Sequence, residues 1–471
     1  MSKKRTYRSV DVQKVEAAAF VALIFTACSA VGVDPVRCIV AIDVAKTKFF
    51  AGFATAQGEL VRIVRYQHPK QTLAFLSLLR ELNAAGANVE VAMEPTGTYG
   101  DALCERCEQL GLPVFMVSPK KTHDMAEVVD GVPSQHDAKS TVIIAQLHAM
   151  GKSAKRQPKS QVRRTMRALV DQRAIYQGPL EANYGKLEAL LARHWPELEQ
   201  WVELRTQRSW MTLLQRYPGP QAVAAAPCQV ADLLRRASRG RCKPETIEGI
   251  VLSARTSLGV VMSEQECVLL GALVAEIERF TRQTDAIDKR IAELVRDDEV
   301  VQLMAQTVGA VTAAVLIAYV GDPRDYGSAS AYEKAFGLNL KVRSSGNHAG
   351  QLKITKRGPG AARRILYMAA LRLILTDPIA AAWYRNRKSY KADLKKKAVV
   401  AVMRKLVRAL FHVARGNPFD SSKLFDTRRL CLEQDTDSVL PAPNAKGGCS
   451  AERKPTILPR RSHQTQEVSV S

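Results

Sequence analysis

Two apolar stretches each finish in a carboxylate. Asp43 closes Cys38-Ile39-Val40-Ala41-Ile42-Asp43, and Glu94 closes Val89-Glu90-Val91-Ala92-Met93-Glu94. Strand ends of an open α/β sheet converge on the crevice where ligands sit. An acid delivered there from a buried run is costly unless it meets a cation. Asp137, which opens the helix after a further strand, would add a third oxygen donor. Hard Mg²⁺ or Mn²⁺ held by such carboxylates and water supports phosphodiester cleavage by an activated water or hydroxyl. Alone, Asp137 reads equally well as a helix N-cap; the trio of Asp43, Glu94 and Asp137 is harder to explain without a metal. A second constellation lies downstream, where Ser345 precedes Gly346 amid Arg343, Lys353, Lys356, Arg357, Arg363 and Arg364. Clustered cations lower the cost of a serine alkoxide and of charge on a phosphoryl transition state, so Ser345 is a candidate nucleophile. By spacing alone, Ser-Gly is more often a turn.

The elements that must position the acids follow from periodicity. Arg37 to Asp43, Lys48 to Ala54 and Glu59 to Tyr66 read as three consecutive strands. After them come a helix over Thr72 to Leu82, a strand over Asn88 to Met93, a helix over Tyr99 to Leu110, a strand over Pro113 to Val117 and a helix over Asp137 to Met150. Three strands followed by αβαβα is the order of an RNase-H-like sheet, so the fold class is α/β followed by an α-helical remainder. Residues 161–299 read as a helical region broken at Tyr217-Pro218-Gly219-Pro220. Within it Leu270, Leu273, Ile277, Phe280, Thr284, Ile287, Ile291 and Leu294 step by three and four, which predicts a long antiparallel helical hairpin or an oligomerising coiled coil. Residues 300–420 form a further helical unit, in which Thr307-Val308-Gly309-Ala310 suggests a helix-hairpin-helix turn with backbone N–H groups turned to a phosphate. Tight helix packing explains that turn equally well. The tail over 421–471, polar and rich in Pro and Ser, reads as disordered.

Charge names the partner class. The 471 residues carry 69 Lys and Arg against 46 Asp and Glu, a formal +23, which favours a polyanion, nucleic acid first. Basic residues concentrate in a composition break over 151–167, and Arg385 to Arg408 holds ten of them with one acid, Asp393. Nine scattered cysteines do not form a secreted disulfide framework, so the expected compartment is the cytoplasm. Cys104 and Cys107 have ligand spacing but no second pair to complete a zinc site, and read as two thiols on one helix. Lys3, Lys4, Arg5 and the apolar run Ala17 to Ala27 imitate a signal peptide, but Asp11 and Glu16 precede that run, which is also too short to span a bilayer. Residues 1–36 are therefore expected to be a disordered or non-native extension, with a start near Val33, and no membrane partner is expected.

With Ile42-Asp43-Val44-Ala45-Lys46, Glu94-Pro95-Thr96-Gly97-Thr98-Tyr99, Val117-Ser118-Pro119, Asp137-Ala138-Lys139, Gly309-Ala310-Val311-Thr312-Ala313, Ser345-Gly346 and Lys356-Arg357-Gly358 in this order, the chain resembles the IS-one-ten family of insertion-sequence transposases over residues 37 to 420. The resemblance implies a RuvC-like catalytic domain over 37–160 and a carboxy-terminal transposase domain over 300–420. Its four acids follow the pattern Asp, Glu, Asp, Asp, and its serine attacks DNA covalently beside the acid site of a partner subunit. Carried over, the acids are Asp43, Glu94 and Asp137, all metal ligands, and the nucleophile is Ser345. The fourth acid is absent, because Ser140 stands where the family has Asp. A serine hydroxyl, a water, Asp130 or Asp124 would have to fill that place. The implied partners are DNA at the element ends and target, a structured guide RNA as in some family members, and further copies of the chain as a dimer or tetramer. Rival readings are a site-specific DNA invertase, a Holliday-junction-type nuclease in which the serine is idle, and an inactive nucleic-acid-binding remnant.

Overall fold

Phe20, Ile24 and Cys28 recur at helical spacing. In the computed structural model they face inward from α1 (Ala17–Ser29), which follows a short strand, β1 (Ser9–Asp11). The expectation of disorder over 1–36 is corrected for this segment: Phe20 meets Phe53 of the main sheet edge-on at 4.9 Å. Ala17, Val21 and Phe25, partly buried, pack against the same core and widen the apolar stripe with which the helix covers a sheet face. The structure describes residues 8–33, 35–95, 97–131, 136–341, 353–388 and 394–430. Two units divide between Arg164 and Thr165.

In the first unit the chain continues through β2 (Arg37–Asp43), β3 (Lys48–Thr55), β4 (Leu60–Gln67), α2 (Thr72–Ala84), β5 (Asn88–Met93) and α3 (Asp101–Gln109). It closes with β6 (Val114–Val117), α4 (Pro119–Asp130), α5 (Asp137–Ala149) and β7 (Ser153–Lys155). The seven strands lie in the order β1-β4-β3-β2-β5-β6-β7, with β2, β3 and β4 an antiparallel meander and β5 and β6 parallel to β2. This is the RNase-H-like arrangement expected from the element order. The helix α4, the edge strand β7 inside the basic segment, and β1 were not expected; all three are short or polar and lack a periodic signature. Side chains from α1, α2 and α3 fill one face of the sheet, and those from α4 and α5 fill the other. Cys104 and Cys107 are buried in the first of these cores, and burial pushes their thiols up to about 11 and about 12, as befits inert thiols.

The second unit is helical. Here α6 (Gln161–His194) and α11 (Glu264–Leu294) run antiparallel: Arg173 binds Asp288 at 2.6 Å, Tyr176 faces Phe280, and His194 faces Glu266 at 3.3 Å. Of the two expectations for the heptad-like seam, the intramolecular hairpin is the one seen. Between them lie α7 (Ser209–Arg216), α8 (Pro220–Ala225), α9 (Pro227–Ala237) and α10 (Pro244–Arg255). A further helical layer follows: α12 (Glu299–Val308), α13 (Ala310–Val320) and α14 (Ala329–Ala335), then the ribbon β8 (Leu340–Lys341) and β9 (Lys353–Ile354), then α15 (Gly360–Thr376), α16 (Pro378–Lys388) and α17 (Leu394–Val413). Gly309, at φ +83°, makes the turn between α12 and α13, as the sequence suggested. The described start of the expected tail is ordered, with Phe425 buried against Trp383. Beyond Leu430 the tail lies outside the described residues. Among the described residues no single helix is long and apolar enough to cross a membrane.

Candidate active site

Three elements bring the acids to one end of the sheet. Asp43 is the last residue of β2, Glu94 follows β5, and Asp137 is the first residue of α5. Ile42 pairs with Met93, so the two strands finish side by side. The helix reaches them because β3 carries glycine beneath it: a Cβ on Gly52 would lie 2.8 Å from Thr141 Oγ1 of α5. That close approach drops the first turn of α5 onto the strand ends. His136, not Asp137, is the N-cap, its ring accepting from the Lys139 amide at 3.2 Å. The carboxylate of Asp137 is left exposed at the positive end of the helix, where an anion is favoured.

The electrostatics are those of a site short of positive charge. Burial pushes Asp43 up to about 6, and the charges of Asp137 and Glu94 push the same way; the Ser140 hydroxyl and the Val44 amide, both hydrogen-bonded to Asp43, pull it back only in part. Thr122 Oγ1 of α4 donates to Glu94 Oε2 at 2.6 Å and orients that side chain. Ser140, at the position of the missing fourth acid, thus turns its oxygen to Asp43. Asp124 is engaged by Lys120 and His123 on α4, and the Asp130 side chain lies outside the described residues. Three hard carboxylates and a hydroxyl are a suitable donor set for a divalent cation, and their mutual repulsion is what such a cation would relieve. Among the described residues no three acids, histidines or cysteines already converge closely enough to ligate one ion.

At the opposite ends of the same elements lies a polar cluster that the sequence reading missed. Arg37 of β2 binds Glu90 of β5 at 2.6 Å, and His148 of α5 contacts Glu90 at 2.8 Å and Ser153 Oγ at 2.7 Å. Each acid-bearing element contributes one member. His148 is buried, and its bond with Arg37 and Glu90 holds that carboxyl below its ordinary range against the opposing effect of burial. No local signal marks this cluster, since its members meet only where β5 lies beside β2 and α5 packs over them.

In the second unit, Ser345 and Arg343 lie outside the described residues. The ribbon that leads to them is described, with Leu340 paired to Ile354 and Lys341 to Lys353. At its base Gly337, φ +69°, is so close to the 356–357 backbone that a Cβ would lie 2.4 Å from the Arg357 nitrogen. Lys353, Lys356, Arg357 and Arg364 are exposed, whereas Arg363 donates to the carbonyls of Phe336 and Gly358. In the basic helix α17, Arg404 and Arg408 both bind the buried Glu333, at 2.6 and 2.9 Å, so these two cations are structural.

An RNase-H-like sheet with acids at the ends of its central strands defines the class of metal-dependent nucleases and transposases of that fold. Residues 40–196 match the family model described as Transposase, of the DEDD IS110 type, and residues 304–385 match the one described as Transposase IS116/IS110/IS902 family. A Streptomyces coelicolor protein described as the insertion element IS110 uncharacterized 43.6 kDa protein is 23% identical over 243 residues. That match covers 51% of this chain and 60% of the relative, less than two thirds of its length. The chain belongs to the IS110 family.

Proposed function

We propose that this chain is the transposase of an insertion sequence, cutting and rejoining DNA at its element's ends. The observation that carries the reading is that Asp43, Glu94 and Asp137 all stand at one end of the sheet, where burial first, and then the charges of Asp137 and Glu94, push Asp43 up to about 6. Asp43, Glu94 and Asp137 would hold a divalent cation, Mg²⁺ or Mn²⁺, with Ser140 hydrogen-bonded to Asp43. When bound, that ion supplies charge neutralisation at the scissile phosphate and a lowered pKa for the attacking oxygen. Thr122 keeps the Glu94 carboxylate aimed, and α5, seated on Gly52, keeps Asp137 in reach.

Ser345 is the proposed nucleophile. Its Oγ would bond to phosphorus as the bond from phosphorus to the leaving sugar oxygen breaks, the serine proton passing to that oxygen. Arg343, Lys353, Lys356, Arg357, Arg363 and Arg364 are its proposed phosphate contacts; among the described ones, Lys353, Lys356, Arg357 and Arg364 are the exposed cations and fit the role best. The net charge of +23 supports a polyanionic partner, for which we take DNA first and a structured guide RNA second. A dimer or tetramer would bring an acid site to another subunit's serine. An inactive remnant is the second reading, favoured by Ser140 in place of the fourth acid.

The test supplies the gene with its native flanks in cells and amplifies the joined-end circle junction, wild type beside Ser345→Ala and Asp43→Asn. A junction from the wild type alone supports the proposal. A junction persisting in Ser345→Ala removes the serine mechanism, and none from the wild type favours the remnant.

A further inference from the structure

Strand register extends the acid site sideways across the sheet. Asp43 of β2 pairs with Phe50 of β3, Phe50 with Arg65 of β4, and Arg65 with Asp11 of β1. Directly paired residues share a face, so Asp43, Phe50, Arg65 and Asp11 form one row on the side that α5 covers. Phe50 packs there against Ala138 of α5. Two residues along β3, Lys48 stands on the same face, paired with Gln67. At about 4.8 Å per strand, Arg65 lies about 10 Å across the sheet from Asp43, within reach of a neighbouring phosphate on the same nucleic-acid strand.

Lys48 and Arg65 are both exposed. Asp11, Lys48, Arg65, Tyr66, Gln67 and Gln71 line a cleft of about 220 Å³, roughly seven water volumes. Its two cations are not committed elsewhere. Lys48 has its ammonium 5.5 Å from the Phe50 ring centre and, among the described residues, no acid at ion-pair distance. Arg65 is half exposed, and its pair with Asp11 is long, at 4.0 Å; such a pair contributes little. Asp11 is shared already, accepting from the Gln13 amide at 3.1 Å and from Gln71 Nε2 at 3.4 Å. Alongside the already engaged Asp11 carboxylate, the cleft thus offers an ammonium, a guanidinium and two side-chain amides, a donor set for a phosphodiester backbone.

We propose that Lys48 and Arg65 form a phosphate-binding subsite for the DNA strand being cut, holding the phosphate next to the scissile one while that phosphate lies at Asp43. The inference rests on the reading of function above. The subsite sets the path of the strand across β2, β3 and β4, and its two cations address the phosphate backbone.

The experiment is fluorescence anisotropy of the full chain on a labelled DNA duplex from the element end, in EDTA so that nothing is cut, over a salt series. Lys48→Met, which keeps the cover on Phe50, and Arg65→Ala should each make the slope of log K against log salt shallower by about 0.9, and the pair by about 1.8. Arg65→Lys should restore the slope. Arg80→Ala, an exposed cation on α2 over the other sheet face, should leave it unchanged. Wild-type slopes in both subsite variants overturn the proposal while leaving the function standing. A loss confined to RNA of the same sequence also overturns it. A wild type that binds no DNA brings down both readings.

Discussion

The acid site costs the metal-free protein stability, and Asp43→Asn measures how much. Its carboxyl rises from an ordinary 3.8 to about 6 because burial and the charges of Asp137 and Glu94 disfavour its ionised form. At about 1.4 kcal/mol per pH unit, that rise corresponds to about 3 kcal/mol; solvent screening in a part-exposed crevice reduces it to about 2. A group whose pKa is higher in the folded state contributes stability that is complete below the unfolded value and lost as pH rises through the folded value. The penalty is therefore absent below about pH 4, grows towards pH 6 and is full at pH 7.5. Asparagine keeps the acceptor for Ser140 and removes the charge. Hydrogen exchange in EDTA should show amides of Arg37–Asp43 and Asp137–Ala149 exchanging about 30-fold more slowly in Asp43→Asn at pH 7.5, with no difference near pH 4. Added Mn²⁺ should slow exchange in the wild type and not in the variant, since only the wild type keeps the full proposed ligand set. Equal or faster exchange in the variant at pH 7.5 would refute the electrostatic argument.

Ser140→Asp adds a fourth carboxylate beside Asp43; it should lower metal-free stability further and tighten Mn²⁺ binding, by about tenfold, in a calorimetric titration. Gly52→Ala places a methyl 2.8 Å from Thr141 Oγ1, so α5 must lift; the first unit should lose about 1 to 3 kcal/mol, read by denaturant unfolding, and metal affinity should fall with it. Glu90→Gln leaves Arg37 and His148 without their carboxylate and should cost about 2 kcal/mol at neutral pH. Because the Glu90 pKa is depressed on folding, its contribution is present above the unfolded value and disappears as pH falls through the folded one; exchange rates compared at acid and neutral pH check this. Glu333→Ala strands Arg404 and Arg408 around a buried site and should destabilise the second unit by about 3 kcal/mol, seen as a lower midpoint in urea monitored by tryptophan fluorescence.

How far the sequence reaches is clearest residue by residue. Asp43 and Glu94 were legible because each ends a buried run, and a strand's period of two fixes which residues face a core. The heptad-like steps from Leu270 to Leu294 marked a helix that had to be covered, but not by what; Arg173 and Asp288 decide for α6 of the same chain. Residues 8–33 were misread because an apolar helix near a chain's start carries the same local pattern whether it leaves the fold or caps a sheet. Only the position of Phe20 against Phe53 separates the two. Lys48, Arg65, Gly52 and the cluster of Arg37, Glu90 and His148 carry no local signal at all. Their meaning comes from register, which sets residues far apart in sequence side by side, and from the distance at which α5 settles on β3. By itself the sequence determined the element types, the acids and the charge, since these follow from backbone periodicity and side-chain chemistry within a few residues. The tertiary structure decided which acids share a field, which cations are already paired, and which face stays open, because each depends on long-range packing that no short window contains.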